Sequence, residues 1–305
     1  MTRRIFMALA ACAMLCACSG DKQSAELEKK ARQYMAAGKN ADAIETAKSA
    51  VKTAPRRAEA AITLSEALMA DKDYKTALEW AQKAAELDRS SARAKYALTK
   101  AFIACGQPEE AMKAAKEAAA LAPKEPEYVA AQADILFAAG KLDEAGKAYG
   151  EALKLEPSFT RATARLAEVQ LASGDVKSAL ENLTKAIAAR PKEAVLYFNM
   201  GNALFMAGRY DDAAGAMEKA AELNPAEPAI TFALAKIYVR TGDGEGAVRA
   251  LQLHLKQAPD DPAGYDALAI ALARTGNMPL AAQYCSKASG MGSAECEGFI
   301  KKKKK

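Results

Sequence analysis

The chain has 305 residues, of which 51% are hydrophobic and only 6% aromatic, and its formal net charge is +5. Alanine dominates the hydrophobic share, which argues against one large globular core and favours thin layers of closely packed helices. The basic excess comes from Arg3, Arg4 and the lysines of 301–305, so the nearly neutral body lacks the positive footprint of a nucleic-acid-binding protein.

Residues 1–17 have the organisation of an export signal. Two arginines precede an apolar run, Ile5–Ala17, which is too short to cross a bilayer as a helix. The end of this run is similar to the lipobox of bacterial lipoproteins, in which a cysteine behind small residues is lipidated after cleavage. The resemblance implies lipidation of Cys18, with Cys12 as a competing site after a shorter apolar region. Ordinary secretion without a lipid is the remaining alternative.

The lipoprotein resemblance also implies where the chain is held. A diacylglycerol thioether together with an amide-linked acyl chain such as palmitate anchors a protein stably, because a single chain is marginal. Ser19 follows Cys18, whereas aspartate at this place marks inner-membrane retention in many Gram-negative bacteria. We therefore expect a signal peptide at 1–17, a tether at 18–23 and an outer-membrane anchor, with the body facing the periplasm.

From Ser24 onward the sequence divides into eight blocks of 34 residues without an insertion. Position 20 of the block is alanine in all eight copies, position 15 is glycine in seven, and position 32 is proline in six. So strict a period indicates that each block is one structural unit stacked on its neighbours. The blocks are 24–57, 58–91, 92–125, 126–159, 160–193, 194–227, 228–261 and 262–295.

Each recurrent residue suits a helical hairpin. Alanine at position 20, such as Ala213, and a small residue at position 8, such as Gly201, let two helices approach closely. Proline at position 32, such as Pro225, cannot continue a helix and ends the second one. Glycine at position 15 allows the left-handed backbone that turns one helix into the next, with Lys72 as the exception. The turn glycines are Gly38, Gly106, Gly140, Gly174, Gly208, Gly242 and Gly276.

These lengths and positions resemble the tetratricopeptide repeat, over residues 24–295. The resemblance implies an all-α fold, a right-handed α-solenoid of eight 34-residue helical hairpins. Residues 296–305 are expected to form a short C-terminal capping segment, with Ser293 as the helix cap and with Phe299 and Ile300 covering the last hairpin. The terminal lysines are either a solvated tail or a contact to anionic lipid headgroups.

The sequence has few groups suited to catalysis. Its only histidine, His254, falls at a packing position of the repeat, and no nucleophile, metal-ligand spacing or phosphate loop accompanies it. We therefore expect a non-enzyme with no cofactor, metal or small-molecule substrate. Cys285 and Cys296 either form a disulfide in the oxidising periplasm or remain separate thiols, while Cys105 is expected to be a small packing residue.

The resemblance implies a concave groove lined by the first helix of each repeat. Positions 2, 5, 9 and 12 share one face of that helix, and they predict two binding regions. Charges at these positions can also serve solubility alone, and Phe205 is as well placed for packing as for contact. The first region contains Phe198, Asn202, Phe205, Phe232, Lys236 and Val239, and the second contains Tyr96, Arg93, Lys100, Arg161 and Arg165, with Asp134 and Glu168 offsetting its charge.

The second region matches only part of the carboxylate clamp that chaperone-binding members of the family carry. Arg161 and Arg165 fit the last two places of the clamp, but Tyr96, Lys100 and Ala131 occupy the others, so we do not expect chaperone binding.

Together these features predict a lipid-anchored periplasmic scaffold that binds protein or peptide segments of an envelope complex. Pilus, secretion and outer-membrane assembly systems are the expected settings. The alternative is an adaptor for envelope enzymes such as peptidoglycan hydrolases, or for exopolysaccharide export, that uses the convex surface.

Overall fold

The computed structural model describes residues 20–293 and 295–298, and these residues form helices and turns without any strand. The predicted all-α fold class is thereby confirmed. No helix among these residues combines the length and the apolar character needed to cross a membrane. The helices are α1 (20–36), α2 (Asn40–Thr53), α3 (Ala58–Ala70), α4 (Tyr74–Leu87), α5 (Ala92–Ala104), α6 (Pro108–Leu121), α7 (Pro126–Ala138), α8 (Leu142–Leu155), α9 (Thr160–Ala172), α10 (Val176–Ala189), α11 (Ala194–Met206), α12 (Tyr210–Leu223), α13 (Pro228–Thr241), α14 (Gly244–Gln257), α15 (Pro262–Arg274), α16 (Met278–Gly290) and α17 (295–298).

The chain divides into two compact units, Met1–Glu156 and Pro157–Lys305. In the first unit each helix from α2 to α8 packs against the next, and α5 also contacts α3 and α7. In the second unit the helices from α9 to α16 pack in the same way, and α11 also contacts α9 and α13. The first helix of each repeat, from α3 to α15, begins at the first residue of its predicted block.

The turn inside each hairpin uses a left-handed residue at position 15. Gly208 has φ +75°, and the next amide, that of Arg209, donates to the Leu204 carbonyl at 2.9 Å. All seven predicted turn glycines have positive φ, and Lys72 adopts φ +66° at the same position of the second repeat. A residue with a β-carbon is strained at positive φ, so the recurrent glycine marks the position of the turn.

Close helix packing explains the small residues. Ala213 is completely buried, and a β-carbon added to Gly201 would lie 2.8 Å from Cγ of Met217. A larger residue at position 201 would therefore require the Met217 side chain to move. Asn199, also buried, donates from Nδ2 to the Ala164 carbonyl at 2.9 Å and ties α11 to α9.

The N-terminal boundary differs from the predicted one, because α1 already includes residues 20–23, which we assigned to the tether. Buried contacts hold this early part of α1 in place. The hydroxyl of Ser24 donates to the Ala50 carbonyl at 3.1 Å, and Glu28 pairs with Arg57 at 2.7 Å. The signal peptide, Cys12, Cys18 and Ser19 lie outside the described residues.

The C-terminal cap also differs from the prediction. Ser293 does not cap α17 through its own hydroxyl, which is hydrogen-bonded to Asp266 instead. Asp266 of α15 supplies the cap, because its Oδ1 accepts from the backbone N–H of Cys296 at 3.1 Å. Cys285 and Cys296 form a disulfide that joins α16 to α17. Phe299, Ile300 and the lysines of 301–305 lie outside the described residues.

Candidate functional site

The first predicted region forms a continuous surface within the second unit. Five of its six residues line a pocket of about 360 Å³ between α11 and α13, namely Phe198, Asn202, Phe205, Phe232 and Lys236. A second pocket of about 320 Å³ shares Phe205, Phe232 and Lys236. That second pocket continues towards α15 through Val239, Arg240, Leu251 and Ile270. We call the surface formed by these two pockets the apolar groove.

The two phenylalanine rings of α11 pack against the core on one side and line the pockets on the other. Phe198 and Phe205 lie seven residues apart on one face of the helix and are half-buried. Both pack against a core cluster that includes Leu204, Met217 and Ile230. Phe205 packs between helices and also lines both pockets, and its contact with a partner stays a prediction.

Phe232 rests on the single histidine. The rings of Phe232 and His254 have centroids 5.0 Å apart. His254 is buried, with Nδ1 3.0 Å from the Pro228 carbonyl oxygen and Nε2 2.7 Å from Oδ2 of Asp261. A β-carbon on Gly264 would lie 2.7 Å from this imidazole. His254 is thus a packing residue that connects α13, α14 and the start of α15 beneath the groove.

Two cations stand at the edge of the apolar groove. The Lys236 ammonium lies 4.6 Å from the centroid of the Phe232 ring, and Arg240 follows one helical turn later on α13. Both side chains are exposed. Among the described residues neither forms a salt bridge, and no acidic residue lines either pocket. The groove therefore combines apolar walls with uncompensated positive charge.

Sequence reasoning identified most of this surface but missed Arg240. The residue occupies position 13, which was not among the four positions sampled for the groove. Its spacing of four from Lys236 was the available signal, because residues four apart are neighbours on a helix. Ile270 occupies position 9 of the last repeat, one of the four positions predicted to face the groove, but it was not among the predicted binding residues.

The second predicted region has a different character, because its charges are already paired. In the first unit, Arg93 lies 2.8 Å from Glu59 and 3.4 Å from Glu66. Lys100 lies 3.7 Å from Glu66, and Arg32 lies 3.5 Å from Glu59. We call these five residues the ion-pair ladder. Glu59 and Glu66, which the prediction did not include, pair with Arg93 and Lys100, whereas Glu168, which it did include, pairs with Arg165.

Tyr96 is largely a packing residue. Its side chain is 7% exposed, its hydroxyl donates to Glu127 at 2.9 Å, and its ring lies 5.1 Å from that of Tyr128. Burial is the main cause that raises the pKa of Tyr128 above its ordinary value. The Lys100 ammonium covers the Tyr96 ring at 4.8 Å. This cluster joins α5 to α7 and leaves little of Tyr96 for a partner.

Arg161 and Arg165 belong to the second unit, whereas Tyr96 and Lys100 belong to the first. Both arginines are exposed on α9, and Arg165 pairs with Glu168 at 2.7 Å. Asp134 accepts a hydrogen bond from the buried Tyr149 hydroxyl. Tyr96 and Lys100 are therefore described separately from Arg161 and Arg165. The role of all four residues in binding stays a prediction.

The described residues contain one group with metal-ligand chemistry. Donor atoms of Asp266, Cys285 and Cys296 lie within 4.8 Å of one another, which the sequence did not reveal because the three residues come from different helices. The two sulfurs are bonded to each other, and thiolates rather than disulfides bind metals. Cys105 is a free, partly exposed thiol whose Sγ lies 3.4 Å from the Tyr74 carbonyl oxygen.

Three models of protein families match the sequence. The longest match, described as the cilia and flagella-associated protein 70 C-terminal domain, covers residues 107–299. Two tetratricopeptide repeat models match residues 28–92 and 68–135. The chain belongs to the tetratricopeptide repeat (TPR) family. TPR proteins are typically non-catalytic scaffolds for protein–protein interaction.

Solved TPR structures resemble this fold. The crystal structure of the APC/C hetero-tetramer Cut9-Hcn1 matches 79% of this chain with a TM-score of 0.65 at 18% identity. The match covers 48% of the other chain, so this protein spans about half its length. A tetratricopeptide repeat protein from Parabacteroides merdae matches 82% of this chain and 99% of its own, with a TM-score of 0.63 at 15% identity. At these identities the likeness shows the fold alone.

A third structure, MamA from Desulfovibrio magneticus, is 27% identical over 55% of this chain and 95% of its own, with a TM-score of 0.47. Among curated protein sequences the comparison finds no significant match.

Proposed function

We propose that this TPR protein is a lipid-anchored periplasmic scaffold that binds a protein segment in the apolar groove and helps assemble an envelope machine. Pilus, secretion and outer-membrane systems are the settings that fit such a scaffold. The observation that carries the proposal is the apolar groove itself, a built surface of aromatic rings, an amide and an ammonium within one unit.

The chemistry of the groove favours a polypeptide ligand. Phe198, Phe205 and Phe232 offer half-buried apolar surface, and such a contiguous patch is typical of an interaction site. Asn202 lies between the rings as a donor and acceptor for a peptide backbone. Apolar anchors beside groups that orient the main chain are the usual basis of peptide recognition.

The membrane anchor is supported by the sequence of the leader. The apolar run before Cys18 and the polar residues after it favour export followed by lipidation at that cysteine. Cys18→Ala tests this part separately. We expect the variant to lose acylation and to leave the membrane fraction, and a variant that stays acylated and membrane-bound would contradict the anchor.

The groove is tested by crosslinking capture from intact cell envelopes. Phe198→Ala combined with Phe232→Ala removes two rings from the groove, and we expect loss of the partner that the unmodified protein captures. Leu253→Ala is a matched control, because Leu253 is 46% exposed on α14, away from the pocket walls. Circular dichroism checks that all variants remain helical.

The result also separates the scaffold from the alternative adaptor. Capture that survives loss of the two phenylalanines but fails with Leu253→Ala would contradict groove binding and favour an adaptor that uses the other face of the hairpins. Mass spectrometry of the captured chain then identifies the envelope system.

A further inference from the structure

We infer that the segment bound by the apolar groove is acidic, with a large apolar side chain flanked by carboxylates. The inference rests on the proposed function and adds the chemistry of the partner. It follows from three features of the groove, namely the shape of its apolar pocket, the position of its cations and the absence of a compensating acid among the described lining residues.

The first feature is the carbon-lined pocket that reaches α15. Phe205, Phe232, Val239 and Ile270 form its walls, and the fully buried Leu251 forms part of its lining. Its volume of about 320 Å³ lies at the lower end of the range for ligand pockets. A pocket of this size suits one or two large apolar side chains and not a broad apolar surface.

The second feature is the placement of positive charge at the rim of that pocket. Lys236 is held over the Phe232 ring at 4.6 Å, so its ammonium is beside the space that an apolar anchor would fill. Arg240 stands four residues later, which places the two β-carbons about 6 Å apart. Carboxylates that meet both cations must therefore lie close to the apolar anchor in the partner.

The third feature is that the protein leaves these cations uncompensated. Asp266 occupies the groove position of the last repeat, but it is 1% exposed and is used by Ser293 and by the Cys296 amide. In the first unit, Glu59 and Glu66 already pair with the cations of the ion-pair ladder. The described lining of the apolar groove holds no such partner for Lys236 or Arg240, so complementary charge has to come from the ligand.

The test uses three labelled peptides of equal length and fluorescence anisotropy with the full-length protein. The first peptide carries a phenylalanine flanked by glutamates, the second replaces the glutamates with lysines, and the third replaces the phenylalanine with serine. We expect the first to bind at least about tenfold more tightly than either of the others. Its affinity should also fall as salt concentration rises.

Charge reversal supplies the decisive comparison. Lys236→Glu combined with Arg240→Glu should lower the affinity for the acidic peptide by roughly tenfold and raise the affinity for the basic one. Arg249→Glu combined with Lys256→Glu is the matched control, because it makes the same change in net charge on α14 outside the groove. This control should leave the order of affinities unchanged.

The outcomes separate this inference from the proposed function. Equal binding of acidic and basic peptides, with both lost in Phe232→Ala, would overturn the acidic preference and leave groove binding intact. If the α14 control changed the preference for the acidic peptide as much as the groove variant did, the preference would be a general effect of net charge. That result would also overturn the inference. Absence of binding by any peptide counts against the acidic segment, while envelope capture still decides whether the groove binds a protein.

Discussion

Several helices of the first unit differ in chemistry from α11 and α13 of the second unit at the same repeat positions. In the first unit, positions 2 and 9 of successive helices carry the ion-pair ladder of Arg32, Glu59, Glu66, Arg93 and Lys100. In the second unit, the same positions of α11 and α13 carry Val195, Asn202, Ala229 and Lys236, and the last three line an open apolar pocket.

This difference teaches where specificity resides in a repeat protein. The repeat fixes which positions share a face, but binding capacity depends on whether the side chains at those positions satisfy one another. Charges that pair within the ladder leave little to offer a partner, and exposed pairs add little stability. The groove residues of the second unit remain available because the chain provides no complementary group among the described lining residues.

The largest expected effect comes from removing the support beneath the groove. His254→Ala deletes a buried ring, leaves the Pro228 carbonyl and Asp261 without this partner, and opens space under Phe232. We expect the free energy of unfolding to fall by about 2–4 kcal/mol, as measured by urea denaturation. Peptide binding should weaken as well, because the Phe232 ring loses its neighbour.

A matched change in the first unit sharpens the contrast. Tyr96→Phe removes only the hydrogen bond to Glu127, so its expected loss is about 1 kcal/mol with peptide binding unchanged. Equal effects of the two variants on binding would contradict the separate roles of the two surfaces.

Substitution of the two glutamates would disrupt the ion-pair ladder. Glu59→Gln combined with Glu66→Gln removes both negative charges that pair with Arg93 and the one that pairs with Lys100. Because the side chains are partly exposed, we expect only about 1 kcal/mol of lost stability, measured as a lower urea midpoint. The difference from the unmodified protein should shrink in high salt, and Glu222→Gln, whose pair with Lys219 is within one helix, should have a smaller effect.

A smaller effect is expected at the turn where the first unit departs from the repeat pattern. Lys72 adopts φ +66°, whereas Gly208 adopts φ +75° at the same position of the second unit. Lys72→Gly should stabilise the protein by about 0.5–1 kcal/mol, since relief of the left-handed strain outweighs the greater freedom of glycine in the unfolded chain. Gly208→Lys is the reciprocal variant, and thermal melting should show a lower midpoint for it.

Much of the fold was predictable because the same sequence pattern recurs in eight blocks. Helix starts, turn glycines and the face carrying Phe198, Asn202 and Phe205 follow from positions within a 34-residue block. The helical conformation of residues 20–23 and the cap of α17 were not predicted. The cap depends on a residue that is distant in the sequence, because Asp266 accepts the hydrogen bond from the Cys296 amide.

The ion-pair ladder was missed for a related reason. Arg93 and Glu59 are 34 residues apart, and Arg93 and Glu66 are 27 apart, so each pair links equivalent faces of neighbouring repeats. Helical spacing within one block does not reveal such pairs. Comparing the charges at positions 2 and 9 of adjacent blocks would have indicated them from the sequence.

The smallest expected effect concerns Tyr238, which packs at the edge of the second unit's core. Its hydroxyl donates to Glu218 at 2.6 Å. Burial, followed by this hydrogen bond, raises the pKa of Tyr238 to about 12, above the value of about 10 expected in an unfolded chain. The folded state thus favours the neutral phenol, and the resulting stability is present below pH 10 and lost as pH rises towards 12.

An ultraviolet titration of tyrosinate formation and urea unfolding at alkaline pH measure this effect. Tyr238→Phe should lose the late-titrating signal and show a weaker fall in stability between pH 10 and 12. Glu218→Gln should lower the pKa of Tyr238 only in part, because burial is the larger cause and remains. A return of the Tyr238 pKa to its ordinary value in Glu218→Gln would instead show that the carboxylate, and not the packing of the second unit, keeps the phenol neutral.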